Sequence, residues 1–139
     1  MKSIDAREIR SDLIMKDIYF SQIEFNQKKD LNKTGQISLQ ITYSFNIVNI
    51  AEDEKEIVVG VQIKDAEGRI SVIMTANGIF EASKELPAEI DKEMLFRNNA
   101  VAIMFPFIRS QVALITAQPG LTPIMLQPIN ISKIWAEQK

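Results

Sequence analysis

The fold is decided by residues 37–47, which read ISLQITYSFNI and alternate strictly between apolar and polar side chains. A period of two places the apolar side chains on one face of a strand and the polar ones on the other. A strand with one solvent-exposed face is typical of antiparallel sheets, because strands of parallel sheets are buried on both faces. The stretch therefore predicts a strand in an antiparallel sheet that is covered on one side only.

Three further stretches extend this sheet. The alternation recurs over residues 57–63, a tight turn is expected at residues 65–68, and the return strand covers about residues 70–81. Asn77-Gly78 is interpreted as a turn or a break late in that strand. The polar residues 27–35 are expected to form a loop.

An earlier strand, over about Leu13 to Asn26, changes its apolar phase halfway along. Ile18 and Phe20 belong to one phase, whereas Ile23 and Phe25 belong to the other. A β-bulge inserts one extra residue into a strand and would return all four side chains to the same face. We therefore expect a bulge or bend near residues 21–22.

The character of the chain changes after Leu86-Pro87, because residues 90–118 have helical spacing and end at Pro119-Gly120. Pro106 is expected to kink this helix or to divide it in two. The helix carries two apolar stripes, although an amphipathic helix needs only one. The first stripe holds Met94, Val101, Met104, Phe105, Ile108, Val112 and Ile115, and the second holds Phe96, Ile103, Phe107 and Leu114.

The sheet can cover only one of the two stripes, so the second needs another partner. A symmetric partner helix is the simplest candidate, and it would place Ile103, Phe107 and Leu114 at an oligomer interface. In the alternative interpretation both stripes pack within the chain, since a loop can wrap a helix in a small domain. Arg109, on the polar edge beside the first stripe, either pairs with a carboxylate across an interface or faces solvent.

Residues 121–131 are apolar but contain two prolines, so they cannot form a regular helix. They are too apolar for an exposed loop and are expected to lie on the protein or to line an apolar site. A terminal helix is predicted over residues 132–137, with Ser132 as its N-cap. The whole chain, residues 1–139, is therefore predicted to be a single α+β domain: a four-stranded antiparallel sheet, a long kinked helix, an apolar proline-containing loop and a short C-terminal helix.

The composition excludes several kinds of chemistry. The chain has neither Cys nor His, which removes thiolate sites, the commonest general base and the commonest metal ligand. No enzymatic activity, cofactor or metal site is therefore expected. Its net charge of −2 argues against nucleic acid as a partner.

Residues 1–8 carry charges where a signal peptide needs an apolar run, and no stretch approaches the roughly 18 apolar residues of a membrane span. We therefore expect a cytoplasmic protein without membrane insertion.

Three segments, taken in order, resemble the SecB family of protein-export chaperones. Residues 16–20, KDIYF, resemble its first-strand motif Lys-Asp-Ile-Ser-Phe, and residues 105–109, FPFIR, resemble its helix motif Tyr-Pro-Tyr-Ala-Arg. Residues 123–131, PIMLQPINI, resemble its segment that ends Ala-Pro-Val-Asn-Phe. The resemblance spans about residues 13–135. It implies four antiparallel strands followed by two helices, and a homotetramer built as a dimer of dimers with the long helix at an interface.

The resemblance also implies a function, which is to hold unfolded or nascent polypeptides without ATP, for protein export. In that family clients lie in long apolar grooves between the sheet and the segment that joins the helices. On the matching positions, Phe20, Leu121, Ile124 and Leu126 would line the groove, with Phe105 and Phe107 nearby.

The sequence also departs from the export chaperones. Ser21 stands where the family has an acidic residue, the proline-containing segment 121–131 is one residue shorter between its prolines, and the chain is near neutral. These departures make docking to the SecA motor doubtful. The chain is similar as well to SecB-like chaperones that protect an antitoxin in toxin–antitoxin systems, which would not need that surface. Two alternatives from other classes are a hot-dog-type thioesterase or acyl-binding protein and a structural oligomer without a client.

Overall fold

The computed structural model describes residues 12–28 and 38–138. Four strands, β1 (Leu13–Gln27), β2 (Leu39–Ala51), β3 (Glu54–Asp65) and β4 (Ile70–Ala82), form one antiparallel sheet in the order β1-β4-β3-β2. A long helix, α1 (Lys92–Thr116), and a terminal helix, α2 (Ile131–Glu137), follow the sheet. The predicted α+β fold is confirmed. The expectations for residues 1–8, for Ile37 and for most of the 27–35 loop lie outside the described residues.

Two bulges in β1, at Lys16 and Ser21, interrupt its pairing with β4. They separate three apolar pairs of alternating phase, which are Leu13 with Met15, Ile18 with Phe20, and Ile23 with Phe25. Each bulge adds one residue, so all three pairs point to the face of the sheet that α1 covers. The predicted bulge near residues 21–22 is confirmed, whereas the bulge at Lys16 was not predicted.

The central strands β3 and β4 supply most of the core. The predicted alternation of β3 is confirmed, because Ile57, Val59, Val61 and Ile63 are all buried. The predicted turn joins β3 to β4, where the Gly68 N–H donates to the Asp65 carbonyl at 2.8 Å and Gly68 has a φ of 71°. The Arg69 side chain donates to the buried carboxylate of Asp65 at 2.6 Å and lowers its pKa.

The interpretation of Asn77-Gly78 as a turn or break is wrong, because both residues lie inside β4. Gly78 faces α1, and a Cβ atom there would lie 2.7 Å from Phe80 Cε2 and 2.9 Å from Met104 Sδ. The missing side chain therefore lets the helix approach the sheet closely. Asn77 faces the other way, where it accepts a hydrogen bond from Ser21 Oγ at 2.7 Å.

The long helix α1 begins at Lys92, and Asp91 caps it by accepting a hydrogen bond from the Glu93 N–H at 3.0 Å. It is not divided at Pro106, because the α-helical segment Ala100–Thr116 runs through that residue. Proline removes only the one N–H that would have bonded the fourth residue before it. Pro106 itself is exposed, while its neighbour Phe105 is buried against the sheet and helps to hold this turn in place.

A π-helical turn at Leu95–Asn99 changes which side chains face the sheet. A π turn holds one extra residue, so residues before it are rotated by about 100° relative to those after it. Phe96 was assigned to the second stripe, yet it is buried in the core with 1% exposure. Met94 was assigned to the first stripe, yet it is 45% exposed. Both assignments assumed a regular helix and are wrong for that reason.

Beyond the π turn the two predicted stripes separate clearly. The first stripe packs on the sheet, since Val101, Met104, Ile108 and Val112 are buried. The second stripe stays exposed, at 37% for Ile103, 45% for Phe107 and 67% for Leu114.

By length and composition alone α1 could also cross a membrane, contrary to the sequence-based expectation. Its packing against the sheet accounts for much of that apolar composition.

The terminal helix begins one residue earlier than predicted and has a different cap. Asn130 is the N-cap, and its Oδ1 accepts a hydrogen bond from the Lys133 N–H at 3.1 Å. The predicted cap, Ser132, instead accepts a hydrogen bond from Asn98 Nδ2 of α1 at 2.8 Å. Ser132 therefore joins the two helices and does not start one.

Replacing Gly78 by Ala should destabilise the protein by about 1–3 kcal/mol, because the new methyl group would overpack the contact with α1. Chemical denaturation at a fixed protein concentration measures the change. The same substitution in a Met104→Ala background removes one of the two clashing side chains, so its cost should be smaller there. An equal cost in both backgrounds would contradict the close approach of helix and sheet at this glycine.

Candidate functional site

The segment between the helices, residues 117–130, is folded against the core. Ile124 and Leu126 are buried, whereas Met125 between them is exposed. The buried hydroxyl of Thr116 anchors the segment, since it donates to the Val112 carbonyl at 2.7 Å and accepts from the Ile124 N–H at 2.9 Å. The expectation that this apolar stretch lies on the protein is confirmed.

The six residues predicted to bind clients lie in three different environments. Phe105, Ile124 and Leu126 belong to the buried core. Phe20 and Leu121 are half-buried and pack against that core. Phe107 lies on the exposed stripe of α1 together with Ile103 and Leu114. Only the half-buried and exposed members are open to a bound polypeptide without a movement of residues 117–130.

An aromatic cluster covers β2, and of its members only Phe105 was predicted from the sequence as a site residue. The rings of Tyr43 and Phe105 lie 6.1 Å apart between centroids, and those of Phe45 and Trp135 lie 5.2 Å apart. Tyr43 and Phe45 belong to the apolar phase of residues 37–47, which was predicted to face the covered side of the sheet. One sequence feature could have indicated this cluster. The single Trp of the chain lies in the short terminal helix, and its large apolar ring needs a packing partner.

Trp135 also ties the terminal helix to the start of α1. Its indole N–H donates to the Arg97 carbonyl at 2.7 Å, and the Arg97 guanidinium lies 4.8 Å from the ring centroid. Together with the bond from Asn98 to Ser132, this contact fixes α2 above β2. Ile131 and Ile134 of the helix also pack against the core, so apolar contacts and these two hydrogen bonds together hold its position.

Arg109 lies at the rim of the aromatic cluster and does not point freely into solvent. Its guanidinium carbon is 5.4 Å from the Phe105 ring centroid. Burial raises the pKa of Tyr43, and the positive charge of Arg109 opposes that shift. The Arg109 Nε atom is buried and has no hydrogen-bond partner in the described part of the chain.

An open cleft of about 790 Å³ is lined by residues of α1 and by residues 128–132, which meet at the hydrogen bond between Asn98 and Ser132. The helix contributes Asn98, Ala102 and Ile103 to its lining, and the opposite wall includes Pro128 and Ile129. Ile103 is also the first exposed residue of the second stripe, so the cleft opens directly onto that stripe. Among residues 12–28 and 38–138 no acidic side chains converge in a group that could hold a metal ion.

Comparison with known proteins gives a consistent picture of the family. The sequence profile of the SecB family, described as preprotein translocase subunit SecB, matches residues 7–139. The chain is 30% identical over 128 residues to the uncharacterized protein MJ0357 of Methanocaldococcus jannaschii, covering 91% of this chain and 81% of that protein. It is 29% identical over 108 residues to the protein-export protein SecB of Azoarcus sp., covering 76% of this chain and 70% of that protein.

A solved structure shares the fold at low sequence identity. The Mycobacterium tuberculosis Rv1957 SecB-like chaperone, in complex with a ChAD peptide from the Rv1956 HigA1 antitoxin, superimposes with a TM-score of 0.66. The match covers 85% of this chain and 91% of that one, with 10% identical residues. The agreement supports the order of strands and helices described above.

Replacing Thr116 by Val should release the segment between the helices. The substitution keeps the shape of the side chain but leaves the buried Ile124 N–H without an acceptor, which costs about 1–3 kcal/mol. Amide hydrogen exchange should show faster exchange at Ile124, and limited proteolysis should cut residues 117–130 sooner.

The control for this variant is Thr122→Val, which changes an exposed threonine of the same segment in the same way. It should leave both exchange and proteolysis unchanged. Equal behaviour of the two variants would show that Thr116 does not anchor the segment.

Proposed function

Because the chain belongs to the SecB family of chaperones, we propose that it binds unfolded or nascent polypeptides and holds them without ATP, in support of protein export. The observation that carries this proposal is the match of the family profile to residues 7–139. The described surface suits the role, since apolar side chains remain open along α1 and beside the anchored segment 117–130. Burial of apolar client side chains would drive binding.

The proposed client site is the set derived from the family motifs, namely Phe20, Phe105, Phe107, Leu121, Ile124 and Leu126. Clients would first contact the half-buried side chains of Phe20 and Leu121. Phe105, Ile124 and Leu126 are buried in the unbound chain. They would join the site as residues 117–130 shift away from the core. An apolar site that can rearrange suits clients of varied sequence.

We further propose that the exposed stripe of α1 is an oligomer interface. Ile103, Phe107 and Leu114 are all large, apolar and exposed, and they lie on one side of the helix. Contiguous exposed apolar surface of this kind marks an interaction site. A second copy of the same helix would cover it symmetrically, within a tetramer built as a dimer of dimers. The proposed location is the cytoplasm, and no catalysis forms part of the proposal.

The second candidate function is that of a dedicated chaperone for an antitoxin. It is favoured by the structural likeness to a SecB-like chaperone that holds an antitoxin peptide. A toxin–antitoxin pair encoded beside this gene would support it, whereas capture of many secretory precursors would favour the export role. SecA remains a doubtful partner, since Ser21 stands in place of an acidic residue. The hot-dog alternative is not supported, because α1 follows all four strands.

The chain should suppress the aggregation of a chemically denatured client when present at a stoichiometric amount, as measured by light scattering. Replacing Leu121 by Ser should weaken client affinity by roughly fivefold, which corresponds to about 1 kcal/mol of lost apolar burial. Fluorescence anisotropy with a labelled unfolded client measures that affinity.

The matched control is Ile14→Ser, because Ile14 is an exposed apolar residue on the face of the sheet that α1 does not cover. It should bind clients as the unchanged chain does. No suppression of aggregation by the unchanged chain would refute the holdase proposal. Equal affinities of the two variants would refute the placement of the site.

Replacing Phe107 by Asp should break the proposed interface, because a carboxylate would then lie in the apolar contact between two helices. The mass in solution, measured by light scattering after gel filtration, should fall to that of a smaller species. Val48→Asp is the control, since Val48 is 45% exposed, as Phe107 is, but lies on the uncovered face of the sheet. A mass that is unchanged by Phe107→Asp would exclude this stripe from the assembly.

A further inference from the structure

The last described residue of the chain, Gln138, binds the backbone of an edge strand. Its side-chain amide nitrogen donates to the Phe45 carbonyl at 2.8 Å, and its amide oxygen accepts a hydrogen bond from the Phe45 N–H. Phe45 lies near the middle of β2, and among the described strands only β3 pairs with β2. One glutamine side chain therefore occupies both backbone groups that Phe45 presents on the free edge of the sheet.

The geometry of antiparallel pairing extends this observation along the strand. Alternate residues direct both backbone groups either to the neighbouring strand or away from it. Since Phe45 points away from β3, Ile41, Tyr43 and Ile47 must do the same. In the described part of the chain no hydrogen bond is made by the outward groups of these three residues. The pairing of β2 with β3 is regular from Leu39 to Asn49, so this edge is an ordered template.

A primary amide offers the same donor and acceptor as a peptide group. Gln138 thus stands where one peptide unit of an additional strand would lie. The exposed backbone groups on both sides of it could accept the rest of such a strand. The edge is also flanked by Ile41 and by the rings of Tyr43 and Phe45, which would contact alternate side chains of the added strand.

We propose that extended client segments add to the free edge of β2 and that Gln138 is a latch which they displace. The occupant is an extended polypeptide, recognised through its backbone, and this inference rests on the proposed holdase function. Backbone recognition suits clients of unrelated sequence, because every residue except proline presents the same two groups. The latch would protect the edge from unwanted pairing while no client is bound.

The element that carries the latch is short and contains no fully buried residue. The terminal helix has seven residues, far fewer than the roughly 12–15 that an isolated helix needs to persist in water. It is held by the packing of Ile131, Ile134 and Trp135 against the core and by the hydrogen bonds of Trp135 and Ser132 to α1. Elements with few contacts open far more easily than the core. Displacement of Gln138 therefore requires no change in the sheet or in α1.

Amide hydrogen exchange on the full chain, followed residue by residue by NMR, tests the proposal directly. The probe is reduced, carboxymethylated α-lactalbumin, which stays unfolded. In the free protein the N–H groups of Ile41, Tyr43 and Ile47 should exchange quickly and that of Phe45 slowly. Bound client should slow the first three by roughly tenfold or more, because each gains an acceptor. Thr42, Ser44 and Asn46 already bond to β3 and should not change.

Two variants, each with a matched control, test the latch and the edge separately. Gln138→Ala should bind the client roughly threefold to tenfold more tightly, since no internal amide competes for Phe45. Its control, Glu137→Ala, changes the preceding exposed residue of the same helix and should have no effect. Ile41→Pro removes one outward N–H and should weaken client binding. Ile41→Ala shortens the side chain, keeps that N–H and should weaken binding less.

The outcomes separate this proposal from the one on which it rests. If the client binds while the exchange of Ile41, Tyr43 and Ile47 is unchanged, the chain is a holdase and edge addition is wrong. If Gln138→Ala binds no more tightly than Glu137→Ala, the latch is wrong. If Gln138→Ala pairs with itself in the absence of client, and its mass doubles, the edge is a self-association site instead. If the unchanged chain binds no client at all, both proposals fail.

Discussion

The contact between α1 and the middle of the sheet is the constraint on which the other features depend. Gly78 leaves room for Met104, so the helix lies close to β4 and buries its first stripe. A helix held in this position turns its second stripe outward and leaves Thr116 buried, where it can anchor the following segment. The exposed second stripe of α1 and the packed segment 117–130 both follow from that one close approach.

The strands were predictable because apolar and polar side chains alternate wherever one face of a sheet is covered and the other faces solvent. Strands β2 to β4 are of this kind. The remaining errors have local physical causes. A π turn changes the face of the helix on which Phe96 lies. A single π turn does not produce a repeating sequence pattern from which it could have been predicted. Pro106 was expected to be able to divide the helix, but packing of its neighbours outweighs one missing hydrogen bond. Ser132 is a residue type that often caps helices, yet the helix begins at residue 131 and Asn130 accepts the hydrogen bond from the Lys133 N–H.

The environments of the proposed site residues were harder to predict, because a sequence pattern shows polarity and does not show how deeply a side chain is buried. Phe105, Ile124 and Leu126 carry family motifs, yet they are buried in the unbound chain. Phe45 and Gln138 carry no motif at all, and they meet only because α2 folds back across the sheet. Contacts between residues more than ninety positions apart follow from the assembled fold. Arg109 lies between these cases, since its charge was noted but its position over Phe105 required the structure.

The two bulges of β1 have a consequence for how this strand can change in evolution. Lys16 and Ser21 stand outside the pairing register, so point substitutions at either position leave the inward side chains where they are. Loss of either residue would be far more severe, because every side chain beyond the deletion would exchange faces. The strand is thus tolerant of substitution but intolerant of changes in length at two positions five residues apart. Homologues that keep this core should therefore conserve the spacing of its three apolar pairs more strictly than their identities.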